Sequence, residues 1–122
     1  MKILLVDDSA AMRQIQKKIL TGLGLTDICE AGDGLLAIEA AGKEKPDLIM
    51  MDWNMPNLTG IEALKKMKAD PALKSIPVIM VTSESEKTNI VEAISAGAAG
   101  YVVKPFNGDT IREKLAPYIK KG

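Results

Sequence analysis

Short unbroken apolar runs alternate along this chain with stretches whose apolar residues recur every three or four positions. The runs are Ile3-Leu4-Leu5-Val6, Leu48-Ile49-Met50-Met51, Val78-Ile79-Met80-Val81 and Tyr101-Val102-Val103. A short run without polar alternation reads as a strand covered on both faces, the state of strands in a parallel sheet. A weaker strand is expected at Asp27–Ala31. From Met12, apolar residues recur at Ile15, Ile19, Leu20 and Leu23, one face of a helix, with Gly22 and Gly24 as its stops. Leu35, Leu36, Ile38 and the alanines up to Gly42 suggest a short second helix. Thr59-Gly60-Ile61-Glu62 reads as a capping box opening a third, with Ile61, Leu64 and Met67 behind it and Asp70-Pro71 ending it. A fourth helix should include Ile90, Ala93, Ile94 and Gly97. Thr110-Ile111-Arg112-Glu113 is a second candidate capping box. It would open a last helix with Ile111, Leu115, Tyr118 and Ile119 inward. Pro117 lacks the donor for the Glu113 carbonyl and crowds it, so this helix should kink or end near Ala116.

Strands alternating with helices argue an α/β fold with a parallel sheet. Five strand–helix pairs use up the 122 residues, so one domain over 1–122 is expected, with no linker and no room for an effector domain. Aromatics are only 3% of the chain, so its core must be aliphatic with methionine as filler. Sixteen basic and sixteen acidic residues cancel, which removes the basic excess that nucleic-acid binding needs. No apolar run approaches the roughly 18 residues of a membrane span. The chain opens directly on a strand-like run, so no signal peptide is expected. Cys29 is the single cysteine, which rules out an internal disulfide and suits a reducing cytoplasm.

Histidine is absent, which excludes a Ser-His-Asp triad, a histidine metal cage and a phosphohistidine on this chain. A metabolic enzyme finds little support. The Gly-Lys-[Ser/Thr] ending of a P-loop is missing. Gly22-Leu23-Gly24 falls at a helix end, whereas a dinucleotide fingerprint opens a helix. Asp52-Trp53-Asn54 lacks the second aspartate of Asp-x-Asp phosphatases.

The chemistry lies just past the apolar runs. Asp7 and Asp8 follow the first, Asp52 the second, Thr82 the third and Lys104 the fourth. If these are neighbouring parallel strands, one crevice collects three carboxylates, a hydroxyl and an ammonium. Grouped carboxylates repel one another strongly. With Mg²⁺ they become a site for phosphoryl chemistry. Each residue alone has a plainer reading. An aspartate after a strand often caps a helix or makes a turn, Thr82 can cap the next helix, and Lys104 can be a solvated lysine.

Together, Val6-Asp7-Asp8-Ser9, Met51-Asp52-Trp53-Asn54-Met55-Pro56, Gly60, Val81-Thr82-Ser83-Glu84 and Tyr101-Val102-Val103-Lys104-Pro105-Phe106 resemble the receiver domain of two-component response regulators, over essentially the whole chain. The stretch Asp52–Pro56 is similar in particular to the stand-alone chemotaxis regulators of that family. The resemblance implies a flavodoxin-like doubly wound sheet of five parallel strands, order 2-1-3-4-5, with five helices.

It further implies that Asp52 accepts the phosphoryl group, with Lys104 and Thr82 assisting. Asp8 would ligate Mg²⁺ directly, Asp7 partly through water, beside Asp52 and the main-chain carbonyl of Asn54; Mn²⁺ can substitute. Mg²⁺ and Lys104 would neutralise charge on the equatorial phosphoryl oxygens. A cis Lys104-Pro105 peptide would aim that ammonium inward. Thr82 and Tyr101 would form the switch, altering a partner surface that includes Lys87, Ile90, Ile94, Tyr101, Val103 and Lys114. Asn54 and Glu84 would tune dephosphorylation, giving a fairly short-lived phosphate. Trp53 would pack beside the site.

On this reading the chain is a cytoplasmic, phosphorylation-activated switch that catalyses only its own phosphorylation and dephosphorylation. Its donor would be a histidine kinase. Its target would be another protein, the flagellar motor switch if the role is chemotaxis, with a phosphatase as accessory partner and neither nucleic acid nor membrane involved. The alternative is a phosphorelay carrier that passes the group on to a histidine phosphotransfer protein. A third reading is an unphosphorylated receiver-like interaction module.

Overall fold

The computed structural model describes residues 2–53, 55, 58–82, 87–103 and 108–118, and at Thr82 and 87–90 the backbone alone. Strands and helices alternate: β1 (Lys2–Val6), α1 (Ala10–Gly22), β2 (Asp27–Ala31), α2 (Gly34–Glu44), β3 (Leu48–Asp52), α3 (Gly60–Ala69), β4 (Val78–Thr82), α4 (Lys87–Ser95), β5 (Gly100–Val103) and α5 (Gly108–Leu115). A 3-10 turn, Ala116–Tyr118, follows α5. All strand pairs are parallel, in the order β2-β1-β3-β4-β5.

Why unbroken apolar runs suit this sheet follows from the alternation of side chains across a strand. Leu4, Val6, Ile49, Met51, Val78 and Met80 face one side, where they pack with Ala37 and Ala41 of α2, Leu64 and Met67 of α3 and Ala93 of α4. Ile3, Leu5, Leu48, Met50, Ile79 and Val81 face the other, against Leu20 of α1 and Ile111 and Leu115 of α5. Both faces are covered, so neither parity of these strands can be polar. Methionines 50, 51, 55, 67 and 80 are all buried, filling the core that aromatics do not.

The helix ends follow local chemistry. Ser9 caps α1 by accepting from the Met12 amide at 3.2 Å, and Asp33 caps α2 by accepting from Leu36 at 2.8 Å. The predicted capping box of α3 is present: Thr59 Oγ1 accepts from the Glu62 amide, and Glu62 Oε1 accepts from the Thr59 amide. α3 stops at Ala69, with Asp70 extended ahead of Pro71. Lys68 then ties down the next connection, its Nζ donating to the carbonyls of Lys74 and Ile76 at 3.0 Å each. Desolvation there pushes the Lys68 pKa down. α5 gives way to the 3-10 turn at Ala116, one residue before Pro117, as its missing amide requires.

Three expectations need correction. Ile15, expected on the inner face of α1, is 52% exposed, and Gln16 is buried in its place. The expected second helix is present as α2, with Leu35 and Leu36 exposed and Ala37 and Ala41 buried. α4 ends at Ser95, so Gly97 lies beyond it, at a φ of +105° that side-chain-bearing residues avoid. α5 opens at Gly108, which puts Thr110 inside the first turn, where it cannot be the N-cap. Ile119 lies outside the described residues.

Cys29 sits half-buried on the edge strand β2, its Sγ 3.7 Å from the Ile3 carbonyl. Burial pushes its thiol pKa up, which favours the inert protonated form.

Candidate functional site

The sheet register puts the ends of β1, β3 and β4 side by side, with Val6 paired to Met51 and Asp52 to Val81. Asp7, one residue past β1, therefore lies beside Asp52, the last residue of β3. Asp8 completes the group: one carboxylate oxygen from each of the three lies within 4.8 Å of the others. Asp7 is 1% and Asp52 7% exposed, while Asp8 is open to solvent.

The Asp7 carboxylate is held at both oxygens. Oδ1 accepts from the Ser9 amide at 2.9 Å, and Oδ2 from Gln16 Nε2 at 3.4 Å. Its backbone is held as well. The amide donates to the Ala31 carbonyl on β2, and the carbonyl accepts from the Arg13 guanidinium. Arg13 is itself oriented by Glu30 at 2.9 Å, with Lys17 3.6 Å from the same carboxylate. One turn of α1 thus braces the first carboxylate of the site.

Asp52 is braced from β4 and α3. The Trp53 amide is shared between Asp52 Oδ1 at 3.0 Å and the Val81 carbonyl at 2.9 Å. The Gly60 amide donates to the Trp53 carbonyl at 2.8 Å, bringing the start of α3 against the end of β3. The approach is so close that a Cβ on Gly60 would lie 2.1 Å from the Asp52 carbonyl oxygen. Trp53 is half-buried against the same core cluster that holds the buried Met55.

Of the residues singled out from sequence, the fold unites Asp7, Asp8 and Asp52. Thr82 ends β4 opposite Val103 in the register, with only its backbone described. Asn54, Glu84, Lys104 and Pro105 lie outside the described residues, as do the side chains of Lys87 and Ile90. Ile94 is 49% exposed, so it is a surface residue, and the core position of α4 belongs to Ala93. Tyr101 is half-buried on the edge strand β5, with the Lys114 ammonium 4.9 Å from its ring centroid. That distance permits a cation–π contact. Val103 is half-buried and Lys114 exposed. Arg13 and Gln16 escaped notice in the sequence. Only the spacing of Met12, Gln16 and Leu20, one stripe of a helix, pointed at Gln16.

Two buried carboxylates and a third at the solvent edge need a countercharge. All three offer hard oxygen donors, the set suited to a small divalent cation such as Mg²⁺. The residues fit that ion, and the exposure of Asp8 gives it a way in.

The chain is thus a doubly wound parallel sheet in the order 2-1-3-4-5, with three carboxylates converging at the carboxyl ends of β1 and β3. Residues 3–116 match the family described as the response regulator receiver domain, and the chain belongs to that family. It is 48% identical over 115 residues to the chemotaxis protein CheY-3 of Vibrio cholerae, covering 94% of this chain and 88% of that protein. It is 47% identical over 121 residues to the chemotaxis protein CheY of Pseudomonas aeruginosa, covering 99% and 98%. Among solved structures it is similar to the chemotaxis response regulator CheY4 of Vibrio cholerae, with a TM-score of 0.87 at 36% identity, covering 97% and 98%. It is also similar to the receiver domain of a signal transduction histidine kinase from Syntrophus aciditrophicus, with a TM-score of 0.86 at 28% identity, covering 96% and 88%. Among the described residues no helix is long and apolar enough to cross a membrane.

Proposed function

We propose that this chain is a single receiver domain over residues 1–122, working in the cytoplasm as a phosphorylation-activated chemotaxis switch. The convergence of Asp7, Asp8 and Asp52 at the strand ends carries the reading. Asp52 is the acceptor: its carboxylate oxygen bonds to the phosphorus of a phosphohistidine on a kinase, and the imidazole nitrogen leaves with the electron pair of the broken P–N bond. Asp8, Asp7, Asp52 and the Asn54 carbonyl would hold Mg²⁺, or Mn²⁺ in its place. The ion supplies charge neutralisation at the transferring phosphoryl group. Lys104 and the Thr82 hydroxyl serve the same oxygens, and Asn54 and Glu84 govern the approach of water that ends the signal.

The output runs through Thr82 and Tyr101 to the surface of α4, β5 and α5, which includes Lys87, Ile90, Ile94, Val103 and Lys114. A partner that prefers the phosphorylated form shifts the equilibrium by its differential affinity. The similarity to chemotaxis proteins of two organisms favours the flagellar motor switch as that partner.

The test is binding to motor-switch protein with and without a small phosphodonor and Mg²⁺. Tighter binding in native protein, lost in Asp52→Asn, supports the switch. Rapid reversible transfer to a histidine phosphotransfer protein, with no change in target binding, makes the chain a relay carrier instead.

A further inference from the structure

Gln16 occupies a core position yet does not behave as a core residue. It is 2% exposed and lies one turn before Leu20, at 1%, on the inward stripe of α1. An apolar side chain would fill such a place without desolvating any polar atom. The amide brings two donors and an acceptor that all need partners. Nε2 reaches Asp7 Oδ2 at 3.4 Å, while Oε1 is buried with no hydrogen-bond partner among the described residues. A long bond on one side and an orphaned acceptor on the other make a poor exchange for fold stability. The residue's position relative to the acidic site gives it a different use.

We propose that Gln16 is a positioning residue of this site, holding the Asp7 carboxylate toward Asp8 and Asp52 and raising cation affinity at the expense of the metal-free fold. The inference rests on the cation-binding reading above. Ser9 fixes one Asp7 oxygen from the loop, and Gln16 fixes the other from inside the helix. Together they set the plane of a carboxylate that must meet two others at close range. The amide dipole, donor end toward Asp7, also offsets part of the repulsion among the three. Partners of this kind, one shell out from a metal, change affinity by about 10- to 100-fold when removed.

The experiment compares native protein with Gln16→Leu and Gln16→Met. Mg²⁺ binding is followed by calorimetry, and thermal unfolding is measured with EDTA and with saturating Mg²⁺. Both variants keep the side-chain volume, and the flexible methionine guards against a failure of leucine to pack. Expected are a metal-free melting temperature equal to native or higher, Mg²⁺ affinity weaker by about tenfold, and a smaller Mg²⁺-induced rise in melting temperature. The opposite signs separate positioning from structural support, which would lower stability and leave affinity alone. Native binding with variant affinities unchanged overturns the inference. A native protein without saturable Mg²⁺ binding overturns the cation reading itself, and the inference with it.

Discussion

Replacing Gly60 by alanine places a methyl carbon 2.1 Å from the Asp52 carbonyl oxygen, 3.0 Å from its carbon and 2.9 Å from Met80 Cε. Carbon contacts are comfortable only at about 3.5 Å, so the start of α3 must retreat by roughly 1 Å from the end of β3. The Met80 methyl can swing aside, but the Asp52 carbonyl belongs to the central strand and cannot. The same retreat stretches the 2.8 Å bond from the Gly60 amide to the Trp53 carbonyl beyond hydrogen-bonding range. Overpacking costs about 1–3 kcal/mol, and the lost bond about 1 kcal/mol. The better helix propensity of alanine returns at most about 1 kcal/mol. The net loss is about 2 kcal/mol, read as a lower midpoint in urea unfolding. Gly42→Ala is the control: it lies inside α2 with nothing within 4 Å of its Cβ position, so it should gain about 0.5–1 kcal/mol. Because the lost Gly60 bond also braces Trp53, whose amide holds the Asp52 carboxylate, Gly60→Ala should also bind Mg²⁺ more weakly. Gly60→Ala as stable as native protein would refute the reasoning.

Two further outcomes are expected. Thr59 lowers the Glu62 pKa below 4.5, first through its backbone hydrogen bond and then through its side chain. A carboxylate depressed in the folded state stabilises it above the unfolded value, and that contribution disappears as pH falls through the folded value. The stability gap between native protein and Glu62→Ala should therefore be full at neutral pH and narrow below pH 4.5 in urea titrations. Leu64, fully buried under the sheet, should cost about 2–5 kcal/mol on truncation to alanine, measured by the same unfolding midpoint.

The architecture was legible because the strands announce themselves. β1, β3 and β4 are covered on both faces, so their interiors are unbroken apolar runs, and polar residues return only at their carboxyl ends, Asp7 just past β1, Asp52 as the last residue of β3 and Thr82 as the last of β4. The Thr59–Glu62 box and the end of α5 ahead of Pro117 were legible because they depend on bonds to neighbours in sequence. The inner face of α1 was misread for a tertiary reason. Gln16 faces inward toward Asp7, nine residues away, and turns Ile15 outward, a pairing that hydrophobic periodicity cannot register. The bracing of Asp7 by Arg13 and Glu30 joins a loop, a helix and an edge strand, and no local pattern encodes it.

The central claim is that the clustered carboxylates serve phosphoryl transfer to Asp52. Incubation of native protein and Asp52→Asn with a radiolabelled small phosphodonor tests it most directly. Label should enter native protein as an acyl phosphate, require Mg²⁺, disappear with a chelator and be absent from Asp52→Asn. Unlabelled native protein, or equal labelling of the mutant, would contradict it.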